Sequence, residues 1–508
     1  MTREMLPYLG LAIFSVFIAS LSQTLLKWEA GKEHTSLARE YLNVGVIGGY
    51  GLLALSMLLT MFAYKKAPPE YDPRLRVLFL HLCHHLRRDG VSRESDKEKA
   101  ARPGAHRRGD PDIYDLKKCG VTMKPAIAII GANDFQNQLI LRAKAMGYVT
   151  HVFAWQCGDV GERTADYFYP VSIVEKARIL EICRAIRPVG VCSIASDLAA
   201  ITVNYVAEGL GLVGNGMESA MTATNKHLMR LAFEKAGLPS CRSILVEEDT
   251  DLAALPLSYP VIVKPTDRSG SRGIRKVTDP RQLPGAIAFA REPSFEKKVL
   301  VEEFAEGREY SVEYLSWKGE HTFLAVTEKF TTGAPLFVET GHLQPPKHMD
   351  DATLAKIKAL VPQVLDSLGV RYGASHTELK VDECGDIRLI ECGARMGGDC
   401  IGSDLVKLST GVDFVRGVID AACGMKPSFE PTGEPCVAAV RFIFSEKDLA
   451  ALESIRRESP DSLYRVSEIM PIDGHEICDS STRYGYYILT AKTQDEMQEL
   501  LKMSGILE

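Results

Sequence analysis

Two short segments carry the residues best placed to do chemistry. His376-Thr377-Glu378-Leu379-Lys380-Val381-Asp382 and Asp386-Ile387-Arg388-Leu389-Ile390-Glu391 both alternate in polarity around Cys384-Gly385. A two-residue turn at Cys384-Gly385 makes a hairpin in which Glu378 faces Glu391 directly. Cβ atoms so paired lie about 4.5–5.5 Å apart, and like charges at that spacing destabilise the sheet. A shared divalent cation turns the repulsion into a binding site, and carboxylates together with phosphate oxygens suit Mg²⁺. The alternative is a solvated pair on an exposed face, but Ala374 and the apolar Leu389-Ile390 flank favour burial. Arg395 follows within the glycine-rich Cys392–Asp399 turn, where it could hold a phosphoryl group or a carboxylate.

A second cluster lies upstream. Val261–Pro265 reads as a buried strand ending in Lys264-Pro265, and Arg268-Ser269-Gly270-Ser271-Arg272-Gly273 follows. The backbone N–H groups of such a small-residue loop can approach phosphate, although most Gly/Ser loops are simply turns. It is not a GxxxxGK[ST] loop. Glu303 and Glu309 could accept hydrogen bonds from ribose hydroxyls, or be ordinary solvent-facing strand carboxylates.

The elements that must position these residues read as α/β. Ala126–Ile130 is an apolar strand, Gln136–Met146 an amphipathic helix closed by Gly147, and Tyr148–Ala154 the next strand. The intervening Gly131-Ala132-Asn133-Asp134 lacks the spacing that admits a dinucleotide pyrophosphate. Further alternation through Ile179–Ile186, Gly190–Ala195 and Leu198–Glu208 predicts a parallel sheet of four or five strands ending near Gly214. Thr224-Asn225 then caps a helix bearing Lys226 and Arg230, which Gly237 and Pro239 terminate. Val299–Phe304 and Glu309–Tyr314 read as strands, as do Val437–Phe444 and Tyr484–Thr490 near the C-terminus.

Over all 508 residues, 46% apolar and 25% charged content excludes a fibrous or wholly disordered chain. A net charge of −6 gives no reason to expect a nucleic-acid partner. Twelve scattered cysteines without a CxxC pair read as reduced thiols. Met5–Leu26 and Tyr41–Tyr64 contain no charged residue, and each is long enough to cross a bilayer as a helix. Residues 1–66 are therefore expected to be a transmembrane hairpin. Lys65, Lys66, Arg74, Arg76, Arg87 and Arg88 outnumber Lys27, Lys32 and Arg39, which places both ends and the catalytic body on the cytoplasmic side. Residues 67–122 read as a basic linker, and the His81, Cys83, His84, His85 group within it as incidental. Met123 begins the α/β pattern and could itself be a start, in which case the body is a soluble cytoplasmic protein.

The order of these elements resembles the ATP-grasp superfamily: a helix lysine, a strand-end lysine, a Gly/Ser loop, an acidic hinge strand, paired glutamates and Glu-x-x-x-Arg. The resemblance implies a Rossmann-like domain over residues 123–217, an ATP-grasp domain over 218–428 and a small β-rich C-terminal domain over 429–508. It implies ATP and Mg²⁺, with Mn²⁺ as substitute metal. Lys226 and Lys264 would contact the phosphates, with Ser269, Gly270, Ser271 and Gly273 in a mobile lid. Glu302, Glu303 and Phe304 would form the adenine hinge, Glu309 would lie near the ribose, and Glu378 and Glu391 would hold the metal. His376-Thr377-Glu378 with Glu391-Cys392-Gly393-Ala394-Arg395 is similar to the L-amino acid (dipeptide) ligases and, more loosely, to biotin carboxylases.

Glu339-Thr340-Gly341-His342 looks like the substrate-side strand of those ligases, making His342 the candidate contact to the bound carboxylate or the intermediate, with Lys264 and Arg395 as catalytic residues. Many members carry Asn where this chain has Gly393, which leaves the number of metal ions open. The two N-terminal apolar runs resemble half of a small multidrug-resistance or EamA-like transporter, or serve as a plain anchor. The implied activity is ATP-dependent ligation of a small carboxylate to an amine through an acyl phosphate. The alternatives are a bicarbonate-activating carboxylase and a membrane transport or sensor protein with a nucleotide-binding body. Dimers are common in the family.

Overall fold

The computed structural model describes residues 124–507, apart from 248, 249, 253 and 254, and a few helical positions between Ile18 and Leu59. It divides into two units, Met1–Cys119 and Gly120–Glu508. The expected transmembrane hairpin and basic linker fall almost entirely outside the described residues. Among the described residues, no helix is long and apolar enough to cross a membrane.

The second unit opens with four parallel strands: β1 (Ala126–Ile130), β2 (Val149–Ala154), β3 (Tyr167–Pro170) and β4 (Val191–Cys192), in the order β3-β2-β1-β4. A parallel sheet covered on both faces needs apolar side chains at successive positions. Strand β1 shows why: Ile127 and Ile129 enter one core, while Ala128 and Ile130 enter another. The helix after β1 spans Asp134–Ala145, and Asn133 with Gln136 closes a capping box at its start. The exposed, aromatic β3 lacks the apolar run that marks its neighbours, so the sequence pattern passed over it.

A second sheet has four antiparallel strands in the order β5-β8-β6-β7, formed by β5 (Ser243–Val246), β6 (Val261–Pro265), β7 (Arg275–Val277) and β8 (Val299–Glu303). Helix Leu283–Arg291 covers it through Leu283, Ala286, Ile287 and Ala290. The third sheet has eight strands, all antiparallel: β9 (Arg308–Trp317), β10 (Glu320–Thr331), β11 (Glu339–Gln344), β12 (Tyr372–Val381), β13 (Ile387–Gly393), β14 (Val437–Ile443), β15 (Leu463–Val466) and β16 (Gly485–Ala491). Their order is β13-β12-β9-β10-β11-β14-β16-β15. The strands read near the C-terminus thus continue this sheet through the β11–β14 pair.

The β12–β13 hairpin pairs Glu378 with Glu391, as the alternation requires. The route differs from a two-residue turn. Near the turn Val381 pairs with Ile387, Lys380 with Arg388 and Leu379 with Leu389, which makes the connection one residue longer than expected. The register then shifts between Glu378 and Leu379, where Ile390 is the extra residue of a bulge. The longer turn and the bulge cancel, and Glu391 returns to the face of Glu378.

Candidate active site

The sheets border a cavity of about 560 Å³. Lys226, Lys264, Ser269, Gly270, Ser271, Glu302, Glu303, Phe304, Glu309, His342, Glu378, Glu391 and Arg395 all line it, although they come from distant parts of the chain. Gly273 is not among the lining residues. Its φ of +74° suits glycine, and a Cβ there would come within 2.9 Å of Pro293 and 3.2 Å of Pro265, so its role is in the turn.

At one end, Lys264 and Arg230 share a buried counter-ion. Glu302 accepts from Lys264 Nζ, and from Arg230 Nε at 3.1 Å and Nη2 at 3.3 Å. Burial pushes the Lys264 ammonium below its usual range; Glu302 opposes this, while Arg230 and Lys226 add to it. Glu302 was expected at an adenine hinge, yet its carboxylate is consumed by these two cations. The backbone N–H of Glu303 donates to Arg242 O and that of Phe304 to Pro260 O, both at 3.0 Å, and Glu303 Oε1 accepts from Ser258 N at 3.0 Å. The Phe304 ring has Lys276 Nζ 3.5 Å and Lys380 Nζ 4.5 Å from its centroid.

Lys226 begins the helix Lys226–Lys235, whose cap Asn225 accepts from His227 N and Leu228 N. Its Nζ donates to Arg268 O at 2.8 Å and lies 2.8 Å from Glu391 Oε2. Burial would lower this ammonium, but Glu391, Asp197 and Glu378 outweigh it and raise the pKa.

Glu378 has two cationic partners: Lys329 Nζ, and His376 Nε2 at 3.1 Å. Lys329 also lies 3.0 Å from Glu309 and 3.8 Å from Glu339, so one buried ammonium serves three carboxylates. His376 Nδ1 meets the buried Glu313 at 2.5 Å. Burial opposes its charge, but Glu313 and Glu378 raise its pKa to about 9. Lys329 and His376 likewise overcome burial to hold Glu378 well below the usual carboxylate range.

Arg395 is held by a fork: Asp197 accepts from its Nε at 2.7 Å and its Nη2 at 3.1 Å. Asp197 is the first residue of the helix Asp197–Leu210. A Cβ at Gly393 would stand 3.1 Å from Asp197 Oδ1 and 3.2 Å from Arg395 Nε, which accounts for glycine there. His342 on β11 is buried, and burial lowers its pKa. Its Nε2 is 3.7 Å from Asp399, which also takes two bonds from Arg483, at 2.9 and 2.7 Å.

Lys329, Asp197, Asp399 and Arg483 were not singled out from sequence. Each owes its place to contacts between distant elements, and none sits in a distinctive local pattern. The donor set suits Mg²⁺: two opposed carboxylates in a cavity able to admit further oxygen ligands. Among the described residues no group of three or more His, Cys, Asp or Glu is arranged to hold a metal by itself, so Glu378 and Glu391 would share the ion with ligands from outside the chain.

Cations and opposed carboxylates thus face one cavity. The chain carries an ATP-grasp domain, since residues 257–404 match the model of that domain. An alanine–anticapsin ligase of Bacillus subtilis is 30% identical over 261 residues, 46% of this chain and 54% of that protein. A D-alanine–D-alanine ligase B of Chromobacterium violaceum is 29% identical over 205 residues, 39% of this chain and 66% of that protein. The chain therefore spans about half the length of the first of these relatives and just under two thirds of the second. Among solved structures, an L-amino acid ligase from Bacillus licheniformis superposes with a TM-score of 0.63 at 23% identity, covering 76% of this chain and 98% of that one. A biotin carboxylase from Campylobacter jejuni gives 0.57 at 15% identity, covering 75% and 91%. At these identities the likeness to solved structures is one of fold.

Proposed function

We propose that this chain is an ATP-dependent ligase that joins a small, amino-acid-like carboxylate to an amine, releasing ADP and phosphate. The observation that carries the reading is the convergence in one cavity of Lys226 and Lys264, the paired Glu378 and Glu391, and Arg395. The names of the ligases similar to this chain support it.

In the first step a carboxylate oxygen bonds to the γ-phosphorus of ATP and the bond to the bridging oxygen breaks, giving an acyl phosphate and ADP. Lys226 and Lys264 bind and orient phosphate oxygens, and Arg395, held by Asp197, faces the negative charge that develops. When Mg²⁺ is bound, Glu378 and Glu391 would hold it, and it supplies charge neutralisation at the phosphates. In the second step the amine nitrogen bonds to the acyl carbon, phosphate leaves with the C–O electrons, and the nitrogen gives up a proton. The Ser269–Gly273 loop, as a lid, keeps water from the acyl phosphate. Attachment to a membrane through Met5–Leu26 and Tyr41–Tyr64 belongs to the same proposal. The chain should then stay in the membrane fraction after alkaline carbonate washing, and release by the wash would refute attachment.

The test is product analysis on the purified full chain with ATP, Mg²⁺ and pooled amino acids. Amino-acid-dependent ADP and phosphate, lost in Glu391→Ala, are expected. ADP formation that depends on bicarbonate alone would move the assignment to carboxylation, and failure to bind ATP would sink both.

A further inference from the structure

Within the loop Arg268–Gly273, residues Gly270–Arg272 are tied at three points to distant parts of the chain. Ser271 Oγ donates to Phe337 O at 3.0 Å, the backbone N–H of Ser480 donates to Gly270 O at 3.4 Å, and Arg272 Nε lies 3.3 Å from Asp479 Oδ2. Two of these ties end on one short C-terminal turn, Asp479–Arg483, which Asp479 caps by accepting from Ser481 N.

The same turn reaches the other end of the cavity. Ser480 Oγ donates to Glu339 at 2.7 Å, and Arg483 Nε donates to Ser480 O at 2.8 Å. Arg483 forks onto Asp399 beside His342. Asp399 adopts a φ of +52°, a left-handed conformation that a non-glycine residue keeps only when its surroundings hold it. The turn is thus fixed firmly to the floor at Arg483 and lightly to the loop at Asp479 and Ser480.

We propose that the Asp479–Arg483 turn is a positioning element that couples the substrate-side floor of the cavity to the lid loop, and so decides whether the acyl phosphate meets amine or water. The inference rests on the ligase reading. An acyl phosphate reacts with either nucleophile; with water its acyl C–O bond breaks to give the original carboxylate, phosphate and a proton, and ATP is spent without product. A strong latch would trap products, whereas one partly exposed ion pair with one long hydrogen bond can open at every turnover. Seating of the amine against Glu339 braces Ser480 and Arg483, and through them the loop.

The experiment measures ADP released per amide formed by the full chain, supplied with ATP, Mg²⁺ and an accepted amino-acid pair. Asp479→Ala and Arg272→Ala should each raise that ratio about 2- to 5-fold, the scale of a partly exposed ion pair. The exchanged pair, Arg272→Asp with Asp479→Arg, should bring it back toward the starting value. Tightly coupled single variants, or an exchanged pair no better than the singles, overturn the proposal. Amide hydrogen exchange of residues 268–273 reads the latch independently of turnover. Asp479→Ala should speed exchange there and the exchanged pair should restore protection, while unchanged protection overturns the latch. A chain that releases no ADP with any carboxylate, yet shows these exchange changes, would refute the ligase reading and leave the latch standing.

Discussion

Lys329 puts one buried ammonium beside three carboxylates. Its ammonium lies among Glu309, Glu339 and Glu378, and loss of one side of a buried ionic group leaves the other uncompensated. Lys329→Met should therefore destabilise the fold by about 3 kcal/mol, read from chemical denaturation without divalent ions. Mg²⁺ should raise the unfolding midpoint of that variant more than that of the unaltered chain, because a divalent ion can take over part of the lost charge. Equal shifts would mean that Glu378 does not take the ion. His376 gives a pH signature. Its folded pKa, raised to about 9 from an ordinary 6.5, contributes stability that is complete below pH 6.5 and lost as pH rises through about 9. Thermal midpoints should fall across that window more steeply than in His376→Asn, and parallel curves would remove the imidazolium from the account. Neither role was legible in the sequence. Lys329 reads there as one charge in an alternating strand, and only the neighbouring positions of β10, β9 and β12 bring it to Glu378.

At the scale of elements, the hairpin shows how far pattern reading carries. Alternation correctly set Glu378 opposite Glu391, but the turn was one residue longer than expected and the compensating bulge at Ile390 left no mark in the composition. The bulge carbonyl accepts from Arg230 Nη2, a contact from another element that local sequence cannot announce. Glu391→Gln removes one of the paired charges while leaving the register alone. ADP formation should then fall on the order of 10²- to 10³-fold, the scale of losing one electrostatic group from an active site. Retention of near-normal turnover would show that the carboxylate pairing is incidental. Gly393→Ala tests the adjacent strand end. Its Cβ would press on the Asp197–Arg395 fork, so kcat should drop on the order of 10-fold or more while the KM for ATP changes little, whereas an unaltered kcat would free Arg395 from the proposed role.

The β-rich C-terminal region expected from residue 429 onward is joined to the whole by backbone. Strand β14 pairs with β11 along Gly341–Gln344, and Arg441 Nη1 donates to Thr340 O at 2.8 Å. Leu343 of β11 shares a core with Val437, Tyr487, Leu489 and Leu501. The strands themselves were legible, since Val437–Ile443 and Gly485–Ala491 are apolar runs bounded by polar turns. Their place in the sheet was not, because strand order depends on pairings far apart in the chain. Truncation after residue 428 would strip one edge of β11, expose its unpaired backbone and remove the partners of Leu343. It would also delete Arg483, and with it the fork that holds Asp399 beside His342. The truncated chain should therefore lose cooperative unfolding and ATP-dependent thermal stabilisation together, measured against the full chain over the same ATP titration. A truncated chain that melts sharply and is still stabilised by ATP would make the C-terminal strands an appendage. The cavity would then need only the strands the truncated chain keeps, β1 through β13.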